Sequence, residues 1–178
     1  MGSITEIYQQ RVTSGALHED PAQVAVLGLL EGAAGRLSAS PAKKGLRGLF
    51  SKSVEPVRGL YLYGGVGRGK SMLMDLFFDS LEEPKKRRVH FHAFMQEIHN
   101  LMHESRKNGV EDAIEPVAAE VVKSARVLCF DEMQITDITD AMIVGRLFEK
   151  LFEAGVLIVT TSNRHPDDLY KNGLNRNL

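Results

Sequence analysis

The chain has 178 residues, 43% of them hydrophobic and 25% charged, with 22 basic and 23 acidic side chains. This composition excludes a wholly disordered chain, and the near-neutral balance excludes a strongly basic nucleic-acid-binding protein. The single cysteine, Cys129, excludes an intrachain disulfide and a four-cysteine zinc site, which fits a reducing compartment. No apolar run reaches the ~20 residues that span a bilayer, and the first residues lack the apolar stretch of a secretory signal. We therefore expect one main globular domain in the cytoplasm.

The N-terminal third is predicted to contain a helical extension and a linker. Residues 1–37 form the extension, with Gly15 between its two helices and Asp20-Pro21 at the start of the second. Residues 38–58 form a basic linker, since five Lys and Arg side chains face a single acid there. We interpret the segment 43–52 as a solvated connector, with peripheral contact to acidic lipid or an acidic partner as the alternative.

From residue 59 to residue 178 the pattern is typical of an α/β domain. Strands alternating with helices predict a parallel sheet with right-handed crossovers. The basic run 85–88 is interpreted as a solvated turn, with phosphate-backbone binding as the minor alternative. In chain order the predicted strands cover 60–63, 89–92, 127–130 and 156–160. The predicted helices cover 71–81, 94–108, 116–124 and 138–152, and Asn108-Gly109 ends the second of them.

A phosphate-binding loop follows the first strand of this domain. Its residues are Gly64-Gly65-Val66-Gly67-Arg68-Gly69-Lys70-Ser71, which match the pattern G-x-x-x-x-G-K-[ST] between a strand and a helix. Glycines let consecutive amides turn inward toward an anion at the helix N-terminus. We predict that Lys70 binds the outer phosphates of ATP and that Ser71 offers its hydroxyl to Mg²⁺.

Polar residues end two later strands. Asp131 and Glu132 follow an apolar run, and ligands bind at the carboxyl ends of strands in open α/β sheets. Asp131 is the candidate Mg²⁺ ligand, and Glu132 is the candidate base that polarises the attacking water. Asn163 closes the next strand, which we expect beside the Asp131 strand, and is the candidate to bind that water or the γ-phosphate.

These motifs together resemble those of AAA+ ATPases, and more specifically the family of ZapE and its mitochondrial AFG-type relatives. The resemblance covers most of residues 56–178, whereas residues 3–55 match only loosely. It lies in the segments 56–70, 89–95, 129–132, 137–142, 161–166 and 169–174.

The resemblance implies a P-loop AAA+ fold at 59–178 and an ATPase of the bacterial division machinery that acts on FtsZ. It assigns catalytic or sensor roles to Lys70, Glu132 and Asn163. It also implies a ring in which an arginine, Arg176 or with less support Arg164, reaches the neighbouring nucleotide. The helical lid of AAA+ proteins would lie beyond Leu178, so we expect a chain ending there to bind nucleotide but to hydrolyse it poorly.

Two other functions remain open from the sequence. A helicase-loader-like ATPase would bind single strands through stacking aromatics in a basic groove. The eight Phe and four Tyr residues show no such array, which argues against nucleic acid as a partner. A nucleotide-gated scaffold would hydrolyse little ATP. Glu132 argues against this function, whereas a helical lid beyond Leu178 argues for it in the given chain. His90 and His92 are interpreted as orienting a loop near the nucleotide or packing structurally, rather than as metal ligands.

Overall fold

The structure is a computed structural model that describes residues 2–39 and 59–169. Among these residues, no helix combines the length and the apolar character needed to cross a bilayer. A short 3-10 turn at Pro166–Asp168 follows the last strand. The main elements in chain order are α1 Ile4–Thr13, α2 Pro21–Ala39, β1 Leu60–Tyr63, α3 Lys70–Ser80, β2 Lys86–His90, α4 Phe91–Lys107, α5 Ile114–Ser124, β3 Val127–Asp131, α6 Ile138–Glu153 and β4 Leu157–Ser162.

The four strands form one parallel sheet in the order β1-β4-β3-β2. This confirms the predicted parallel sheet and the predicted pairing of β4 with the strand that ends at Asp131. Because all strands run the same way, their carboxyl ends meet at one edge of the sheet. The phosphate loop, Asp131 and the polar end of β4 therefore belong to the same edge.

The sheet lies between two helical layers, each with its own apolar core. Leu128 and Phe130 of β3 point into the core formed with α4, α5 and α6, whereas Val127 and Cys129 point into the core formed with α1, α2 and α3. This double burial explains the continuous apolar run of β3. The thiol of Cys129 is fully buried, and desolvation raises its pKa to about 12, so this cysteine is a packing residue rather than a nucleophile.

The two N-terminal helices were predicted correctly as helices, and they pack on the sheet together with α3. Tyr8 of α1 and Leu27 and Leu30 of α2 are fully buried in the core that α3 shares. The division of the chain at residues 37 and 58 stays a prediction. The basic segment 43–52 lies outside the described residues.

The prediction of the second strand at 89–92 was wrong at both ends, by three residues at the start and by two at the end. β2 begins at Lys86, within the run interpreted as a solvated turn, and α4 begins already at Phe91. The charges are compatible with a strand because each has a specific partner. Lys86 Nζ donates to the carbonyls of Phe78 and Leu81 at 2.6 and 2.8 Å, which satisfies acceptors at the C-terminal end of α3.

Candidate functional site

The phosphate loop (residues 64–71) connects the end of β1 to the start of α3. Gly67 and Gly69 have φ angles of +78° and +80°, a left-handed conformation in which other residues are strained. Gly69 is the residue that caps the N-terminus of α3. The first amides of a helix have no partner within it, so this loop leads directly into a group of unpaired N–H donors that suits an anion.

The side chain of Lys70 folds back onto the start of the phosphate loop. Its Nζ atom donates to the carbonyl of Gly64 at 2.7 Å and to that of Gly65 at 2.8 Å. The amide of Gly64 in turn donates to the carbonyl of Ser162 at 3.3 Å, which ties the start of the loop to the end of β4. The ammonium group therefore lies against the loop itself.

The phosphate loop and residues at the ends of β3 and β4 line a cleft of about 400 Å³. Glu132 lies across this cleft from the loop, and Asn163 lines it with an exposed side chain. Lys70 and Ser71 also line the cleft, so the structure brings these four predicted residues together. The complete lining consists of Val66, Gly67, Arg68, Gly69, Lys70, Ser71, Met72, Glu132, Thr161, Ser162 and Asn163.

Glu132 has an unusual backbone. Among the described residues it is the only non-glycine residue with a positive φ, at +57°. This conformation costs about 1–2 kcal/mol in a residue with a Cβ. The end of β4 holds it, because the amide of Glu132 donates to Thr161 Oγ1 at 3.2 Å and the next amide, of Met133, donates to the Thr161 carbonyl at 2.8 Å. Such strain is common at functional sites.

Asp131 is the last residue of β3, and its carboxylate is bound by Arg88 of β2. Arg88 Nε and Nη2 donate to the two carboxylate oxygens at 2.7 and 3.2 Å, and Arg88 Nη1 contacts Asp75 of α3. Asp131 lines a second hollow of about 350 Å³ next to the cleft, together with His90 and His92, and Glu132 lines both spaces. Glu132 is therefore common to the linings of the two spaces.

The residues predicted to bind Mg²⁺ have suitable chemistry. Mg²⁺ prefers oxygen ligands and keeps several of its waters, and a serine hydroxyl and a carboxylate both offer oxygen. Arg88 uses one donor on each oxygen of Asp131, whereas a carboxylate has about four acceptor sites. Asp131 therefore keeps acceptor capacity for a metal-bound water.

Arg88 is the site residue that the sequence analysis missed. It was assigned to a solvated turn, but only 24% of its side chain is exposed. The pKa of Arg88 lies above its ordinary value, chiefly because its guanidinium is hydrogen-bonded to Asp131. Alternation along a strand was the available signal, because it puts Lys86 and Arg88 on the α3 side of the sheet and Arg87 on the α4 side, where Arg87 pairs with Glu97.

Replacing Arg88 with methionine should lower the free energy of unfolding by about 2 kcal/mol, because Asp131 loses a charged hydrogen-bond partner while mostly buried. Lysine at this position should recover less than half of that loss, since it cannot form the bidentate contact with the Asp131 carboxylate. Urea unfolding followed by circular dichroism measures both. The matched control is Arg87→Met, whose more exposed pair with Glu97 should contribute under about 1 kcal/mol. Equal losses in the two methionine variants would contradict the assignment.

The remaining candidates lie at different places. Arg164 lies just after β4, and its carbonyl accepts a hydrogen bond from the Tyr61 hydroxyl at 2.9 Å. Arg176 falls outside the described residues. His99 contacts Asp140 at 2.8 Å and His92 contacts Gln96 at 3.2 Å. Within the described ranges, no three or more His, Cys, Asp or Glu side chains are grouped so as to hold a metal ion.

Comparison with known proteins identifies the family. The model of a family described as AFG1-like ATPase matches residues 3–178. The chain belongs to the AFG1-like ATPase family. This AFG1-like chain is 50% identical over 121 residues to the cell division protein ZapE of Escherichia coli K12, covering 68% of the chain and 32% of ZapE. It is 47% identical over 135 residues to lactation elevated protein 1 homolog B of Danio rerio, covering 71% of the chain and 27% of that protein.

The AFG1-like chain thus spans about a third or less of the length of these two relatives. It also matches an uncharacterised Schizosaccharomyces pombe protein at 38% identity, covering 96% of the chain and 45% of that protein. The predicted resemblance to the ZapE and AFG-type family is confirmed, and the family is one of ATPases.

Solved structures confirm the predicted P-loop AAA+ fold. AMPPCP-bound DnaA from Aquifex aeolicus matches with a TM-score of 0.56 at 20% identity, over 86% of this chain and 42% of DnaA. DnaI matches with a TM-score of 0.54 at 17% identity, over 89% of this chain and 78% of DnaI. At these identities the likeness shows the fold alone.

Proposed function

We propose that the protein is a Mg²⁺-dependent ATPase that uses ATP binding and hydrolysis to remodel a protein partner. The observation that supports this best is the cleft in which the phosphate loop at the start of α3 faces Glu132 and Asn163. A phosphate-binding loop alone would account for ATP binding but not for ATP hydrolysis. An acidic residue held in a strained conformation across the same cleft adds a group that can act on a water molecule.

Each residue has a distinct role in this proposal. The amides of residues 64–71 and the Lys70 ammonium bind the phosphates of ATP. Ser71 and Asp131 would hold Mg²⁺, which when bound neutralises phosphate charge. Glu132 accepts a proton from the attacking water, and Asn163 orients that water or the γ-phosphate. Arg176, with Arg164 as the second candidate, would act on the nucleotide of a neighbouring subunit in a ring.

The partner we propose is a polymerising cell-division protein, FtsZ, at the division site in the bacterial cytoplasm. Support comes from the 50% identity over 121 residues to a protein named for cell division. The described residues contribute the nucleotide site to this function. Peripheral membrane contact through residues 43–52 is a further proposal, and it rests on the basic sequence of that segment.

ATPase measurement on the intact protein tests this function. We expect Mg²⁺-dependent release of phosphate that polymerised FtsZ increases and that single-stranded DNA does not. Addition of EDTA should stop the release. Stimulation by single-stranded DNA with no response to FtsZ would contradict the proposed partner, and absence of ATP hydrolysis under every condition would contradict the enzyme.

A further inference from the structure

A glutamine of the N-terminal helices contacts the phosphate loop directly. Gln23, in the first turn of α2, donates from Nε2 to the carbonyl of Arg68 at 3.2 Å. The next loop residue, Gly69, is in the left-handed conformation, and a Cβ added there would lie 2.5 Å from Gln23 Nε2. Gln23 therefore packs against the loop at the point where the loop becomes α3.

Gln23 is itself held by a buried tyrosine. Tyr8 of α1 is fully buried, and its hydroxyl donates to Gln23 Oε1 at 3.0 Å. The same hydroxyl accepts the amide of Asp20 at 3.2 Å, so it is used as both donor and acceptor. This pair of bonds fixes the orientation of the Gln23 carboxamide, because its oxygen faces Tyr8 and its nitrogen is left to donate to the loop.

Asp20 makes a second, weaker link to the loop. One carboxylate oxygen accepts the amide of Ala22 at 2.9 Å, and the other lies 3.6 Å from Arg68 Nη2. The Arg68 side chain is 62% exposed, and an ion pair this exposed contributes little. The link that matters runs from Tyr8 through Gln23 to the Arg68 carbonyl.

We propose that Tyr8 and Gln23 are positioning residues of the nucleotide site, an inference that rests on the proposed ATP-binding function. They fix the Arg68 carbonyl and the turn at Gly69 before a phosphate arrives, so that the amides that follow already point toward the cleft. A loop ordered in advance loses less entropy on binding, which increases affinity without a direct contact to the ligand. The N-terminal helices are thereby part of the site.

Nucleotide affinity gives the first test, measured on the intact protein with a fluorescent ATP analogue and Mg²⁺. Gln23→Met keeps the size of the side chain, and Tyr8→Phe removes only the hydroxyl. We expect each substitution to weaken nucleotide binding by about tenfold, because a tenfold change corresponds to the net free energy of about one hydrogen bond that orders the loop. Because the two residues act through one link, the double variant should bind about as weakly as Gln23→Met alone. The control is Gln10→Met on the exposed face of α1, which should bind like the wild type.

Hydrogen exchange gives a second test that needs no nucleotide. The amide of Leu73 donates to the Gly69 carbonyl at 3.0 Å, so its protection reports how firmly Gly69 is held. We expect it to exchange faster in Gln23→Met and in Tyr8→Phe than in the wild type or Gln10→Met. A lower melting temperature with unchanged affinity and unchanged Leu73 protection would overturn the proposal, because the residues would then be merely structural. A wild-type protein that binds no nucleotide would instead refute the proposed function, and the Leu73 amide would still decide the role of Gln23.

Discussion

Replacing Lys70 with alanine is expected to weaken ATP binding by at least about 100-fold, because the variant loses a charged hydrogen bond to phosphate and the ammonium that balances phosphate charge. The two bonds from Nζ to the carbonyls of Gly64 and Gly65 are lost as well, so the loop is also less ordered. Titration of the intact protein with a fluorescent ATP analogue measures the change.

The control for this variant is Lys107→Ala. Lys107 lies at the end of α4, where it is 58% exposed and pairs with Glu104 on the same helix. Its removal leaves the net charge equal to that of the Lys70 variant but touches no part of the cleft. Thermal unfolding of both variants shows whether either is misfolded. Undiminished ATP binding by folded Lys70→Ala protein would refute the role assigned to the phosphate loop.

Replacing Glu132 with glutamine should slow ATP hydrolysis by about 10²–10⁴-fold and leave ATP binding nearly unchanged. Glutamine has nearly the same shape as glutamate, so it can keep the left-handed backbone and the hydrogen bond from the residue 132 amide to Thr161 Oγ1. It cannot accept a proton from water as the carboxylate does. Single-turnover assays that follow bound ATP should therefore show the nucleotide trapped unhydrolysed.

Glu120→Gln is the matched control for this change. Glu120 lies on the exposed side of α5 and pairs only weakly with Lys123. The Glu120→Gln variant should hydrolyse ATP at the wild-type rate. If Glu132→Gln also did so, Glu132 would not be the base. A loss of ATP binding in Glu132→Gln would mean that this residue holds the shape of the cleft rather than activates water.

The sheet and most helices could be predicted from sequence because their signals are local. β3 is apolar on both faces since it lies between two cores, and a run such as Val127-Leu128-Cys129-Phe130 has few other interpretations. The phosphate loop was equally clear, since its glycines and lysine lie within one stretch of eight residues. Asn108-Gly109 marked the end of α4, where Gly109 has a φ of +81°.

The contacts that support the site could not be predicted because their partners are far apart in the chain. Arg88 and Asp131 are separated by 43 residues, and Gln23 and Arg68 by 45. A cluster of charges is usually solvated, so the run at 85–88 gave no sign that β2 pairs with the Asp131 strand or that Arg88 contacts both Asp131 and Asp75 of α3. Nothing local to Glu132 indicated its left-handed backbone either, since the bond that holds it comes from Thr161 on another strand.

The most direct measurement of the central claim is a crystal structure of the intact Glu132→Gln protein with ATP and Mg²⁺. We expect the triphosphate to lie along the amides of residues 64–71, with Lys70 on its outer phosphates and the metal between Ser71 and Asp131. Nucleotide bound away from the phosphate loop, or a phosphate-bound metal that Asp131 contacts neither directly nor through water, would contradict the account.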